Sequence, residues 1–378
     1  MPDSADLSKI KSLSYEMGPI RPPSEGGSFS LLVRVTRNCP WSRCTFCYAR
    51  FYNRQPFEVR PVAEVKADID TIKAIADELL ALSWQLGFDG KIETMAQTLP
   101  GLLLGDKTAD SLSADEVKNV HCVINVYNWL VAGGKSVFLQ DADSLILHTG
   151  QLVEVIKYLK AAFPAIERVT SYARAKSISK KKPEELGQLR EAGLTRLHIG
   201  LETGDDELLA HVDKGVTAEE HIKAGKLAMA AGFELSLYVM PGLGGRALWQ
   251  QHAVNTARVL SAINPNFIRM RPLVPMDGTP LLEAYRNGEF ELTTPHERLR
   301  EIRLMVENLN VTSRVSFDQI TNTSIKQGQY LIPLFKKDYD GYKFPEEKTK
   351  VLETIDEGLR LDEKAFQDVA EWAGTRTI

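Results

Sequence analysis

A repeating strand-then-helix alternation from residue 28 onward predicts an α/β protein, an incomplete (β/α)6-7 TIM-like barrel of parallel strands. Three observations carry this. Seven runs rich in β-formers recur along the chain, and amphipathic helical segments separate them. A glycine phrase closes successive helices, EAGLTRL at 191–197 and AAGFELS at 230–236, each placing Gly where a left-handed residue ends a helix before a strand. Six or seven such units fit a partial barrel better than a doubly wound sheet, although periodicity alone does not separate the two.

The first strand is SLLVRVT (30–36), and it leads directly into three cysteines. A long helix follows at about 62–86, with Ile69, Ile72, Ile75, Leu79, Leu80 and Leu82 at helical spacing. Residues 89–133 do not fit one βα repeat and read as a helical insertion in the first crossover, stopped near Gly133. Strands are then expected at 136–140, 168–173, 196–202, 234–240, 266–274 and 314–320, with helices at 150–162, 183–192, 218–231, 246–262 and 295–309. The domain reading is an N-terminal extension (1–27), the partial barrel (28–320) and a C-terminal appendage (321–378) that is a possible substrate lid.

A chain of 378 residues can bury a sizeable core. A net charge of -4 and a sequence pI near 6.1 supply no global positive field, so a nucleic-acid partner is not favoured. No run approaches the ~18 apolar residues of a membrane span, and the default expectation is a cytoplasmic protein. Of the 4 cysteines, Cys39, Cys44 and Cys47 are clustered, which points to metal binding before disulfides. Cys122 stands among apolar residues in HCVINVYNWLV and reads as a buried structural thiol.

The cysteine run is C-x4-C-x2-C. Three thiolates from one loop can hold three corners of a cubane and leave the fourth iron open to an exogenous ligand. A structural zinc site would want four closed ligands, and no fourth Cys or His lies near in sequence. An iron-sulfur electron-transfer protein is the main alternative, disfavoured by the missing fourth clustered cysteine and by the size of the chain.

The segment RVTRNCPWSRCTFC resembles the cluster loop of radical S-adenosylmethionine (radical SAM) enzymes. The resemblance is strongest to the group with Elongator-type, methylthiotransferase and oxygen-independent coproporphyrinogen oxidase radical domains, and covers roughly residues 28–320. The superfamily spacing is usually C-x3-C-x2-C, and this chain has one residue more in the first gap. The resemblance implies a [4Fe–4S] cluster on Cys39, Cys44 and Cys47. It further implies S-adenosylmethionine held on the open iron and cleaved reductively to methionine and a 5′-deoxyadenosyl radical. That radical would abstract hydrogen from an unidentified substrate, with a small molecule favoured and a flavodoxin or ferredoxin as electron donor.

The other site residues are expected at the C-terminal strand ends. Phe46 matches the family's aromatic near adenine, or is an ordinary core residue. Asp141 or Asp143 would accept from the S-adenosylmethionine ammonium, or cap a helix. Arg174 would pair with the methionine carboxylate, or form a surface ion pair. Gly200 and Glu202 resemble the family's Gly-x-Glu segment, with Glu202 accepting from ribose or ammonium. Met240 opens a Gly-rich turn whose backbone would face adenine. Arg269 and Arg271 would hold an acidic substrate, or be neutralised by internal carboxylates. The segment 317–344, with Asp318, Gln319, Asn322, Gln327, Tyr330 and Phe335, would close over the substrate or pack outside the barrel.

Overall fold

The computed structural model describes residues 7–19, 29–47 and 55–375. Of the expected N-terminal extension, residues 1–6 and 20–27 lie outside the described residues. The chain divides into two compact units. The first comprises Met1–Arg37, Glu58–Ser171 and Gln188–Thr195; the second comprises Asn38–Phe57, Tyr172–Gly187 and Arg196–Ile378.

In the first unit, strands β1 (Leu31–Arg34), β2 (Ser136–Gln140) and the start of β3 (Arg168–Ala173) run parallel in that order. Their side chains are nearly all buried, the pattern of parallel strands covered on both faces. The helix Val62–Gln85 buries Val65, Ile69, Ile72, Ile75, Leu79 and Leu82, whereas Leu80, grouped with them on spacing, is exposed. The helix Ala114–Val131 of the expected insertion starts from a capping box made by Ser113 and Glu116. Cys122 is fully buried on it, and its Sγ accepts from the Tyr15 N–H and donates to the Tyr15 carbonyl, both at 3.3 Å. The first strand is shorter than its sequence suggests. The Val35 carbonyl accepts from Arg60 N at 3.2 Å, and Thr36–Arg37 pairs antiparallel with Glu58–Val59 instead of prolonging β1.

In the second unit β4 (Leu194–Glu202, from Arg196 onward), β5 (Glu234–Val239), β6 (Phe267–Met270) and β7 (Arg314–Ser316) are parallel in that order. Each is preceded or followed by a helix, so both units have the parallel α/β organisation expected. The glycine phrase behaves as read: Gly193 and Gly232 have φ of 117° and 82° and end their helices. Strands β6 and β7 stop four residues short of expectation. Pro272 offers no N–H for a ladder, and Arg271 N and Leu273 N donate singly to Val239 O and Pro241 O at 2.8 Å. Beyond residue 320, β8 (Tyr342–Lys343) pairs antiparallel with β7, and the Phe335 ring stacks on Phe317 with centroids 4.0 Å apart. Tyr330 lies exposed on the hairpin Ser324–Gln327/Tyr330–Pro333.

A buried polar network ties the loops after β4 and β5 to two helices. Glu301, on the helix Pro295–Asn308, accepts from the Gly242 N–H through both carboxyl oxygens, at 3.1 and 2.9 Å. Its Oε1 lies 3.3 Å from His252 Nε2, and His252 Nδ1 lies 2.7 Å from Thr203 Oγ1. Burial pushes the Glu301 carboxyl up to about 8, against the pull of the Gly242 N–H and Arg298, and pushes the His252 imidazole down to about 4. Both are therefore uncharged at neutral pH. Because the folded-state value of Glu301 is raised, its contribution to stability is full below about 4.5 and is lost as pH climbs toward about 8. A Glu301→Gln protein keeps an acceptor for Gly242 and should melt higher than wild type at pH 8 but not at pH 5, each kcal/mol counting roughly 2–4 °C. Melting curves that differ equally at both pH values would contradict the neutral-carboxyl assignment.

Candidate metal centre

The three cysteines lie in the second unit, on a loop whose backbone reverses at Asn38 and Ser42, with φ of 68° and 49°. Within it, Ser42 N lies 3.5 Å from Cys39 Sγ, and Cys47 N donates to Cys44 O at 3.2 Å. The loop is seated on one short segment, Val212 to Gly215, which follows the helix Asp206–His211. Thr45 N donates to Val212 O at 3.0 Å, Trp41 Nε1 donates to Asp213 O at 2.6 Å, and Arg43 Nε meets Asp213 Oδ2 at 3.0 Å. Gly215 has φ of 69°, and a Cβ there would overlap the Trp41 indole. The indole is flanked by two guanidinium groups, Arg43 at 4.9 Å and Arg174 at 5.1 Å from the ring centroid. Arg174 Nη2 in turn donates to Lys214 O at 2.8 Å. Both loop residues that reach this segment by their side chains, Trp41 and Arg43, come from the four-residue gap between Cys39 and Cys44.

Lys214 belongs to no sequence motif, yet it is the charge at the centre of the site. Its Nζ bonds Glu202 Oε1 at 2.9 Å and lies 5.6 Å from the Phe46 ring centroid. Burial works against its charge, but Glu202, Cys44 and Cys47 more than offset that and hold it above the ordinary lysine value. Burial likewise pushes the Cys44 thiol up, helped by Cys39 and Glu202 and opposed by Lys214 and Arg174. The Cys47 thiol is pushed up to about 12 by burial, then by Cys44 and Cys39, again opposed by Lys214.

The strand ends explain Glu202. It has φ of 62°, and its carbonyl accepts from Met240 N at 3.0 Å, which joins the ends of β4 and β5. Its side chain folds back over Gly200, where a Cβ would overlap the carboxylate and lie 3.1 Å from Lys214 Nζ. Gly200 is thus required by the packing of the Glu202–Lys214 pair. Phe46 is buried with Leu208, Val212, Leu243, Leu273, Leu281 and Phe290, and Cys44, Cys47 and Met240 pack against this group. Phe46 is thus part of the core, and the same group forms an apolar wall behind two cysteines.

The donor set fits an iron-sulfur cubane better than a single ion. Among the described residues no three His, Cys, Asp or Glu side chains converge as a site for one metal ion. In a cubane each thiolate ligates its own iron, so the three sulfurs surround a cluster rather than a single ion. Cys39, Cys44 and Cys47 do influence one another electrostatically. Ser42 Oγ and Thr45 Oγ1, in the same loop, are buried without a hydrogen-bond partner, as hydroxyls facing a sulfur-rich ligand would be in the bare protein.

Asp141 and Asp143 belong to the first unit and are fully buried. Asp141 Oδ2 accepts from Arg34 Nε at 3.1 Å and Nη2 at 2.7 Å, and Asp143 makes no side-chain cap to the turn after it. Within the second unit, Arg271 is neutralised by Asp318, with Nη1 2.7 Å from Oδ1. Arg269 instead bonds neutral groups, Ser236 Oγ, Ser316 Oγ and Tyr339 O at 3.1, 3.0 and 2.9 Å, under the Tyr339 ring. Tyr238 bridges toward Arg271 (ring to Cζ 5.4 Å) and His198 (hydroxyl to Nδ1 2.6 Å).

If the indole needs the bare backbone of Gly215, Gly215→Ala should cut iron uptake on anaerobic reconstitution by more than half. Gly288→Ala is the control, since Gly288 also has positive φ (75°) but nothing lies within 4 Å of an added Cβ at that position. Equal iron in both variants would mean that the Trp41 seat does not shape the cysteine loop.

Comparison with known proteins gives a partial likeness. Residues 113–254 match the family described as the radical SAM superfamily, a span that holds Arg174, Gly200, Glu202, Lys214 and Met240. The tRNA uridine(34) acetyltransferase of Methanocaldococcus jannaschii is 28% identical over 109 residues, covering 29% of this chain and 20% of that protein. Elongator complex protein 3 of Mus musculus is 22% identical over 196 residues, covering 48% of this chain and 35% of the relative. The chain therefore spans only about a fifth to a third of the length of these relatives. A solved structure, the archaeal Methanocaldococcus infernus Elp3 with an N-terminal deletion, aligns with TM-score 0.42 and 19% identity over 60% of this chain and 55% of that one. Over residues 113–254, then, the chain is similar to the radical SAM superfamily.

Proposed function

We propose that Cys39, Cys44 and Cys47 hold the cluster and that this chain cleaves S-adenosylmethionine reductively to act on a small-molecule substrate. The observation that carries the reading is the seating of one loop with three free thiols on a single segment, beside the Glu202–Lys214 ion pair. When bound, the cluster and S-adenosylmethionine supply the electron transfer and the 5′-deoxyadenosyl radical. The protein's part is to place the reactants and keep out water. Phe46 and its apolar neighbours shield Cys44 and Cys47 from solvent. Glu202 and Lys214 offer a carboxylate and an ammonium to a zwitterionic amino acid moiety, with Arg174 beside them. Gly200 and the Met240 backbone allow close approach at the strand ends.

The polar interior formed by Tyr172, His198, Tyr238 and the Arg271–Asp318 pair supports a small substrate carrying polar groups. A tRNA substrate is the other class that the archaeal relative's name brings, and the chain's net charge of -4 lends it no general attraction. Among the described residues no helix is long and apolar enough to cross a membrane. A cytoplasmic setting with a flavodoxin or ferredoxin as donor is part of the proposal.

Anaerobic reconstitution followed by dithionite and S-adenosylmethionine should release 5′-deoxyadenosine from wild type and from Cys122→Ala, with Cys39→Ala, Cys44→Ala and Cys47→Ala losing both iron and product. Full iron with no 5′-deoxyadenosine would favour the electron-transfer alternative. Full iron in Cys44→Ala would refute the ligand assignment.

A further inference from the structure

The Lys214 ammonium is the one cation in contact with the Glu202 carboxylate among the described ion pairs, at 2.9 Å. Its Nζ lies 5.6 Å from the ring of Phe46, the residue before Cys47, and the cysteine loop bonds the two residues before it, Val212 O through Thr45 N and Asp213 O through Trp41 Nε1. Its backbone is fixed as well: Lys214 O accepts from Arg174 Nη2 at 2.8 Å, and its N donates to Leu209 O at 3.0 Å. The backbone bonds fix its Cα, and the Glu202 ion pair holds the ammonium itself. Its side chain is mostly buried, so solvent screens it little.

From this geometry we infer that Lys214 is a positioning residue that acts electrostatically, its ammonium setting the reduction potential of the cluster while Glu202 tempers it. The inference rests on the ligand assignment above and adds a role to a residue outside it. Reduction of the cluster by one electron, taken from a flavodoxin, a ferredoxin or dithionite, adds one negative charge next to the three thiolates and breaks no bond. A fixed positive charge at that place stabilises the reduced form more than the oxidised form, since net charge around a cluster is one determinant of its potential. The neighbouring carboxylate acts with the opposite sign. Removing one partner or the other should therefore move the potential in opposite directions, a signature that mere loss of packing does not produce.

The test is a potentiometric titration, read by electron paramagnetic resonance, of reconstituted protein without S-adenosylmethionine. Lys214→Met should make reduction harder by about tenfold or more in the equilibrium constant, which is 59 mV for a one-electron couple. Lys214→Arg, which keeps the charge, should restore most of that shift. Glu202→Gln should make reduction easier, and this variant decides the matter if Lys214→Met fails to take up iron. Potentials unchanged in the loaded variants, or shifted in the same direction in Lys214→Met and Glu202→Gln, would overturn the inference alone. A wild-type protein that holds no cluster would overturn the ligand assignment, and the inference with it.

Discussion

The candidate site depends on the packing of an indole against a residue with no side chain. Trp41 lies on Gly215, donates to Asp213 O, and is flanked by Arg43 and Arg174. This contact brings the cysteine loop to the segment that also carries Lys214. Any Cβ at position 215 would meet the ring, and the positive φ of Gly215 already disfavours other residues. A loop with three free thiols and few regular hydrogen bonds has little internal stiffness, so its shape must come from what it rests on. The longer first gap, unusual for the resemblance noted in the sequence, has a structural use: it supplies the Trp and the Arg that make the seat.

Charge is handled by the same few residues. Burial makes the Cys44 and Cys47 thiols resist ionisation. Metal binding replaces their protons and is therefore favoured where a fixed cation lowers the cost. Lys214 and Arg174 both act in that direction on Cys44. Glu202 keeps Lys214 in place and its carboxylate lies where Gly200 leaves room. The Glu301–His252 network anchors the Gly242 and Thr203 loops through a carboxyl and an imidazole that are both uncharged at neutral pH.

Much of the architecture was legible because parallel strands and their helices announce themselves in composition and period. The strands from 136 to 140 and 168 to 173, and the glycines at 193 and 232, occur where the patterns place them. Strand ends were less legible, since the pairing that ends β1 at Arg34 involves Glu58–Val59, distant in sequence. The cysteines and Glu202 carried local motifs. Lys214 did not: its role arises from a meeting of residues 41, 46, 174, 202 and 214, and no period or spacing encodes that. The sole hint was a Lys-Gly pair directly after a short helix, a common way to end one. Asp141, at a strand end that the sequence singled out, is met by Arg34, a partner that its local motif did not announce.

The central claim is that the seated loop holds a cubane by three cysteines and leaves one iron open. Mössbauer spectroscopy of the reconstituted, iron-57-labelled protein tests it most directly, with and without S-adenosylmethionine. The account predicts that adding S-adenosylmethionine changes the signal of a single iron of the cluster and leaves the others as they were. A spectrum in which every iron is unaffected, or one that reports mononuclear iron, would contradict it.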